Sequence, residues 1–118
     1  MKGKLMDLTL LNQNDRLGIT VEANHIDAQA ALKFKDAVNT ACNGTHSWVI
    51  LDLSKVDFVD SSGLGAIVSI KKHLGQDRRI DLASLEPAVE KVFRLTRMDS
   101  VFRIYPSLAH AMADDITA

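Results

Sequence analysis

The 118-residue sequence has no second cysteine, only two prolines and no surplus of either charge. Cys42 alone can close no internal disulfide and build no metal site by itself, so it reads as a small apolar helix residue in a reducing compartment. His25, His46, His73 and His110 stand far apart and show no ligand spacing of the HExxH kind, which leaves metal catalysis unsupported. With 14 Lys and Arg against 15 Asp and Glu, the net charge is −1. A duplex-binding protein needs a basic face to neutralise phosphates, so nucleic acid is not an expected partner. Apolar runs such as Trp48 to Leu51 fall far short of the ~20 residues of a membrane helix. After the basic Met1-Lys2-Gly3-Lys4, the run Leu8-Thr9-Leu10-Leu11 is too short for a signal peptide and no small-residue cleavage site follows. The expectation is a cytoplasmic protein that does not insert into membranes.

Pro87 and Pro106 both fall where elements should change, and no Pro- or Ser-rich linker, low-complexity tract or repeat interrupts the chain. Residues 1–118 therefore read as one domain around one core. Leu5 to Leu11 and Leu17 to Val21 are β-favouring segments around the turn signal Asn12-Gln13-Asn14-Asp15, which predicts an antiparallel hairpin. Asp27 can cap a helix whose apolar positions Ala30, Ala31, Phe34, Ala37, Val38 and Ala41 recur at helical spacing and end at Asn43-Gly44. Trp48-Val49-Ile50-Leu51-Asp52-Leu53 suits a parallel strand covered on both faces.

From Ser62 to Leu74 the residues Leu64, Ile67, Val68 and Leu74 share a helical face, Lys71-Lys72-His73 suit the negative end of the dipole, and Gly75 stops the helix. Arg79 to Ser84 reads as a strand. Glu86-Pro87 opens a third helix with Val89, Val92 and Phe93 inward. Val101 to Tyr105 reads as the last strand, and Ser107 caps a short helix through Met112. The order ββαβαβαβα predicts an α/β fold: an N-terminal hairpin, then a mixed, mostly parallel sheet with right-handed crossovers and helices on one face or both.

One stretch can carry function. A buried strand leads through Ser54-Lys55-Val56-Asp57-Phe58-Val59 into Asp60-Ser61-Ser62-Gly63-Leu64-Gly65, where a helix starts. Asp60 or Ser61 can simply be the N-cap. A serine hydroxyl here can also accept a phosphoryl group, because free N–H donors and the positive end of the dipole meet it without unfolding the helix. The added charge of about −1.5 to −2 would sit beside Asp57 and Asp60 and penalise any partner that buries this corner. Glycine in the first helical turns costs roughly 0.5–1 kcal/mol relative to Ala. Gly63 and Gly65 therefore need a compensation, either close helix-to-sheet packing or the approach of a partner's backbone.

The segment Val49 to Leu74, centred on Asp60-Ser61-Ser62-Gly63-Leu64-Gly65, resembles the signature of STAS domains, specifically the stand-alone bacterial anti-sigma-factor antagonists. Glu86-Pro87-Ala88-Val89-Glu90-Lys91-Val92-Phe93 is similar to the family's third helix, and the element order resembles the family over nearly the whole chain. The resemblance implies partner switching. The unphosphorylated protein binds an anti-sigma factor that is also a serine kinase, the kinase uses ATP and Mg²⁺ to phosphorylate Ser61, and the complex breaks. A PP2C-type phosphatase restores the active form. The chain would have no cofactor and no catalytic residue of its own. On this pattern the partner-binding edge comprises Asn24, His25, Asp27, Asp57, Asp60, Ser62 and Gly63, with Leu64 mostly in the core. Asn24 stands where the family usually has glycine, and Asn is the residue best able to keep a left-handed turn there.

Two other classes compete. An α/β-hydrolase nucleophile needs Gly-x-Ser-x-Gly, whereas Val59 and Asp60 sit two before the candidate serines and no His or oxyanion loop is placed. A STAS-type accessory subunit of a membrane transporter would bind without phosphorylation; a serine at position 61 favours the switch, although a serine is also a good helix cap. Lys91, Arg94 and Arg97 read as a solvated helix face because Glu86 and Glu90 flank them. Met98 and Met112 read as fillers of the core edge.

Overall fold

A computed structural model of the chain describes residues 7–44 and 46–114. Strand β1 (Leu8–Gln13) and β2 (Arg16–Val21) form the expected antiparallel hairpin, in register from Leu8 opposite Val21 to Gln13 opposite Arg16. The expected residues Leu5 and Met6 of the first strand lie outside the described residues. The turn is two residues long, with Asn14 left-handed at φ 59°, as a tight hairpin favours. Asp15 joins this turn to the start of the next long strand by accepting from the Ser47 backbone N–H at 3.1 Å and from the Ser47 hydroxyl. These bonds hold the Asp15 carboxyl below its ordinary range.

The central strands are β4 (Trp48–Asp52), entirely buried, and β6 (Arg79–Ala83). With β7 (Ile104–Tyr105) they complete a sheet of order β1-β2-β4-β6-β7, parallel throughout except for the opening hairpin. Side chains alternate across it. Leu17, Ile19, Val49, Leu51, Ile80 and Leu82 meet the apolar stripes of α1 (Ala31–Ala41), α2 (Ser61–Leu74) and α3 (Pro87–Leu95). Trp48, Ile50, Ala83 and Tyr105 face the other way and pack with Ala111 and Met112 of α4 (Leu108–Ala113). Among the described residues helices thus cover both faces, three against one. Cys42 lies buried at the end of α1, where desolvation pushes its thiol up against the opposing pull of Arg78.

The thinner face is held by specific contacts. Gly18 leaves room for Leu108, whose Cδ1 would be 3.0 Å from a Cβ there. Arg16 reaches across to donate to the carbonyls of Ala111 at 3.0 Å, Met112 at 2.6 Å and Asp114, closing the C-terminus of α4. The guanidinium groups of Arg16 and Arg79 lie 4.6 and 4.5 Å from the centre of the Trp48 ring. Asp81, buried in a strand of apolar neighbours, accepts from Trp48 Nε1 at 3.0 Å and the Arg103 N–H at 2.8 Å and pairs with Arg79. A buried charge survives only when compensated in this way.

Two elements differ from the sequence reading. The last strand begins at Ile104 and not at Val101, because Arg97 turns left-handed at φ 63° and a 3₁₀ turn follows at Met98–Ser100. Phe102 then enters the core from a loop, edge-on to Phe93 at 6.3 Å, and Val101 is left outside. The second difference is a two-stranded parallel sheet, β3 (His25–Ile26) with β5 (Phe58–Val59), which no periodicity announced. Met98 and Met112 fill core edges as expected.

Arg16→Ala should lower stability by about 1–3 kcal/mol, since three carbonyls lose a charged donor. Chemical denaturation would measure the loss, and hydrogen exchange should show it concentrated in α4.

Candidate functional site

The start of α2 is fixed by one carboxylate. Asp60 is extended (φ −101°, ψ −172°), and its Oδ1 accepts from the Gly63 N–H at 2.9 Å while its backbone carbonyl takes the Leu64 N–H at 2.9 Å. This is an N-cap, and it puts Ser61 at the first helical position, one residue earlier than the periodicity suggested. The other oxygen, Oδ2, accepts from the Ala28 N–H at 3.1 Å, in the turn that leads into α1. Asp27 closes that turn, its Oδ1 taking the Gln29 and Ala30 N–H groups at 3.1 Å each. Expected to cap the helix itself, Asp27 caps only the lead-in turn, while Ala30 is the N-cap, without a side-chain bond, and the regular helix begins at Ala31.

The small sheet brings the two halves of the site together. The Asn24 carbonyl accepts from the N–H groups of Asp57 at 2.8 Å and Phe58 at 3.3 Å, and Ile26 pairs with Val59. His25 Nε2 lies 3.7 Å from Asp57 Oδ1, and the His25 ring meets Phe58 edge-on at 5.8 Å. Asn24 does not adopt the left-handed turn expected of it; the left-handed non-glycine residues described are Asn14, Ser84 and Arg97. Its ordinary backbone aims its carbonyl at β5, so no glycine is needed there.

The two glycines of α2 separate cleanly. A Cβ on Gly63 would lie 1.9 Å from the Ile26 carbonyl oxygen, so β3 of the same chain occupies the space the sequence reading allowed to a partner, and Gly63 is buried. Gly63, expected on a partner-binding edge, is instead buried against β3. Gly65 is exposed and has nothing within 4 Å of where its Cβ would be. Among the described residues no packing compensates for its helix penalty.

Ser61 and Ser62 are both exposed, and neither hydroxyl is hydrogen-bonded among the described residues. Leu64 is half-buried against the core. A groove of about 330 Å³ runs between α1 and α2, lined by Ala28, Leu32, Lys35, Ser62, Gly65 and Ser69. A shallower depression of about 510 Å³, with Asn24, His25, Asp27 and Lys33 in its wall, lies on the other side of the α1 lead-in turn. Leu32 is 63% exposed and Phe58 47% exposed, two large apolar side chains around Ser61 that the sequence reading missed. Leu32 falls off the stripe of Phe34, Ala37 and Val38, and that misplacement was its available signal.

The STAS domain family model matches residues 10–111. The chain belongs to the STAS domain family. A STAS-domain containing protein of Pseudomonas aeruginosa is 28% identical over 101 residues, covering 84% of this chain and 99% of the relative. An anti-sigma factor antagonist of Mycobacterium paratuberculosis superposes with a TM-score of 0.80 at 23% identity, over 91% of each chain. SpoIIAA, a Bacillus cell fate determinant, shares the fold in its unphosphorylated form at 21% identity and a TM-score of 0.72, over 90% of this chain and 93% of its own. Its phosphorylated form gives 20% and 0.65, over 90% and 96%. The mixed, mostly parallel sheet with its packed helices is therefore the STAS fold, as the resemblance implied. Among the described residues no helix is long and apolar enough to cross a membrane.

In this STAS domain the two glycines should respond oppositely to the same change. Gly63→Ala should destabilise by about 1–3 kcal/mol or more because a backbone carbonyl must move. Gly65→Ala should stabilise by roughly 0.5–1 kcal/mol. Urea unfolding of both variants checks the pair.

Proposed function

We propose that this STAS domain is an anti-sigma factor antagonist that works by partner switching, with Ser61 as the phosphoacceptor. The observation that supports the reading is the placement of Ser61: exposed, its hydroxyl without a hydrogen bond among the described residues, on the first residue of a helix whose start Asp60 pins independently. A phosphoryl group added there meets the positive end of the α2 dipole, so the fold tolerates it.

The unphosphorylated surface offers a partner Leu32 and Phe58 as apolar anchors, Lys35 as a charge, and bare backbone at Gly65. Asn24, His25, Asp27, Asp57, Asp60 and Ser62 complete this edge. The partner is an anti-sigma factor with serine kinase activity, which supplies ATP and Mg²⁺. Phosphorylation adds about −1.5 to −2 charge beside Asp57 and Asp60, and burying that charge uncompensated costs several kcal/mol. A PP2C-type phosphatase reverses the step. The chain itself is a substrate and binding module without catalytic groups, acting in the cytoplasm.

Incubation with ATP, Mg²⁺ and the cognate kinase should raise the intact mass by one phosphoryl group, and Ser61→Ala should abolish the gain. Ser61→Asp should leave the thermal midpoint nearly unchanged while weakening kinase binding at least tenfold, or by about 1.4 kcal/mol. Equal affinity of Ser61→Asp and the parent for the kinase would remove the mechanism and leave the transporter-accessory reading, in which binding ignores phosphorylation. Gly65→Ala, though more stable, should bind the kinase more weakly, and unchanged affinity would take the α1–α2 groove out of the interface.

A further inference from the structure

We propose that β1 is a pairing edge for a second copy of this chain, so that two molecules join their sheets strand to strand about a two-fold axis at Leu10. The two edges of the sheet are built differently. Strand β7 is only two residues long, follows Arg103 and ends against Pro106. A short edge bounded by a charge and a proline resists further pairing. Strand β1 has none of these devices. It is six residues long, Leu8-Thr9-Leu10-Leu11-Asn12-Gln13 carries no charge and no proline, and its register with β2 runs through without a bulge. Such a strand offers an open edge about 20 Å in length.

Hydrogen bonding fixes which groups face outward. The Glu22 N–H donates to the Asp7 carbonyl at 3.1 Å, so Asp7 and Glu22 form a bonded pair, and in an antiparallel ladder bonded and unbonded pairs alternate. Thr9, Leu11 and Gln13 therefore direct their N–H and C=O groups to Thr20, Gly18 and Arg16, while those of Leu8, Leu10 and Asn12 point away from β2. Among the described residues nothing pairs with these outward groups. They are spaced evenly about Leu10, and this singles out a second copy as the occupant. An antiparallel copy centred there sets Leu10 against Leu10 and Leu8 against Asn12 of the other chain, and every outward donor and acceptor finds its mate.

The side chains agree with that register. Leu10 and Leu11 are each 46% exposed on opposite faces of β1, Leu10 on the side of Ile19 and Leu11 on the side of Gly18. Leu10 meets its own counterpart at the axis, Leu11 meets Thr9, and Asp7 meets Gln13, so no like charges oppose each other. Symmetry supplies this match without a second sequence. Pairing uses up the open edge, and β7 offers no other, so the assembly closes at two chains. An edge of this length makes a small interface, below about 1,200 Å², for which a dissociation constant in the roughly micromolar range is expected.

Sedimentation velocity of the full chain over a rising concentration series tests the pairing. The mass should climb from 13.0 kDa to twice that value and stop there. Hydrogen exchange identifies the surface: protection of the Leu8, Leu10 and Asn12 amides should rise roughly tenfold or more with concentration, while Thr9, Leu11 and Gln13, already bonded to β2, change far less. Leu10→Lys sets two ammonium groups face to face at the axis, and should keep the chain monomeric with its thermal midpoint nearly unchanged. Leu95→Lys, at an exposed apolar position on α3, should leave the dimer intact. A chain that stays monomeric throughout, a dimer whose outward β1 amides gain no protection, a dimer that survives Leu10→Lys, or growth past two chains would overturn the proposal. Every readout is independent of the kinase and of phosphorylation at Ser61.

Discussion

The Asp60 carboxylate is the constraint on which the site depends. One oxygen caps α2 at Gly63 and the other holds the Ala28 N–H ahead of α1, so a single side chain sets the start of one helix and its position against the entry to the next. Both bonds are charge-assisted, the stronger kind. Because Asp60 is the cap, the serine beside it is relieved of that task, and its hydroxyl projects into solvent. Ser61 could have been read equally well as the N-cap; the geometry of Asp60 decides between the two.

Much of the fold was legible because it is written in periodicity. The stripe of Phe34, Ala37 and Val38, the all-apolar run of β4 and the glycine after Leu74 each state a local preference that tertiary packing then respects. The sheet of β3 and β5 was not legible. Two residues on each side are too few for any pattern, and what holds them is backbone hydrogen bonding between segments some thirty residues apart. That sheet is what gathers Asn24, His25 and Asp27 beside Asp57, Asp60 and Ser61. Resemblance had named these residues one by one, and only the fold brings them onto one edge.

Gly63 and Gly65 show why residue type alone misleads. They sit two apart on one helix, about 200° around its axis, so the reason for one cannot serve for the other. Gly63 answers to the Ile26 carbonyl on the inner side, while Gly65 faces outward over a groove. Val101 and Leu32 repeat the lesson for apolar residues: both look like core material in the sequence, and both are outside because a left-handed Arg97 or a helical phase put them there. The same applies to Asp81, a charge that the strand pattern gave no reason to bury and that Trp48, Arg79 and Arg103 together compensate.

The position of Trp48 has a practical corollary. It is the chain's one tryptophan, set at the amino end of β4 between two guanidinium groups and under α4, whereas Ser61 follows the carboxyl end of the neighbouring short strand. Its emission is therefore a natural reporter on whether the terminal helix stays seated, quenched or shifted when that lid lifts. Ser61 belongs to the other end of the sheet, so intrinsic fluorescence reports on the seating of α4 on the scaffold without any added label.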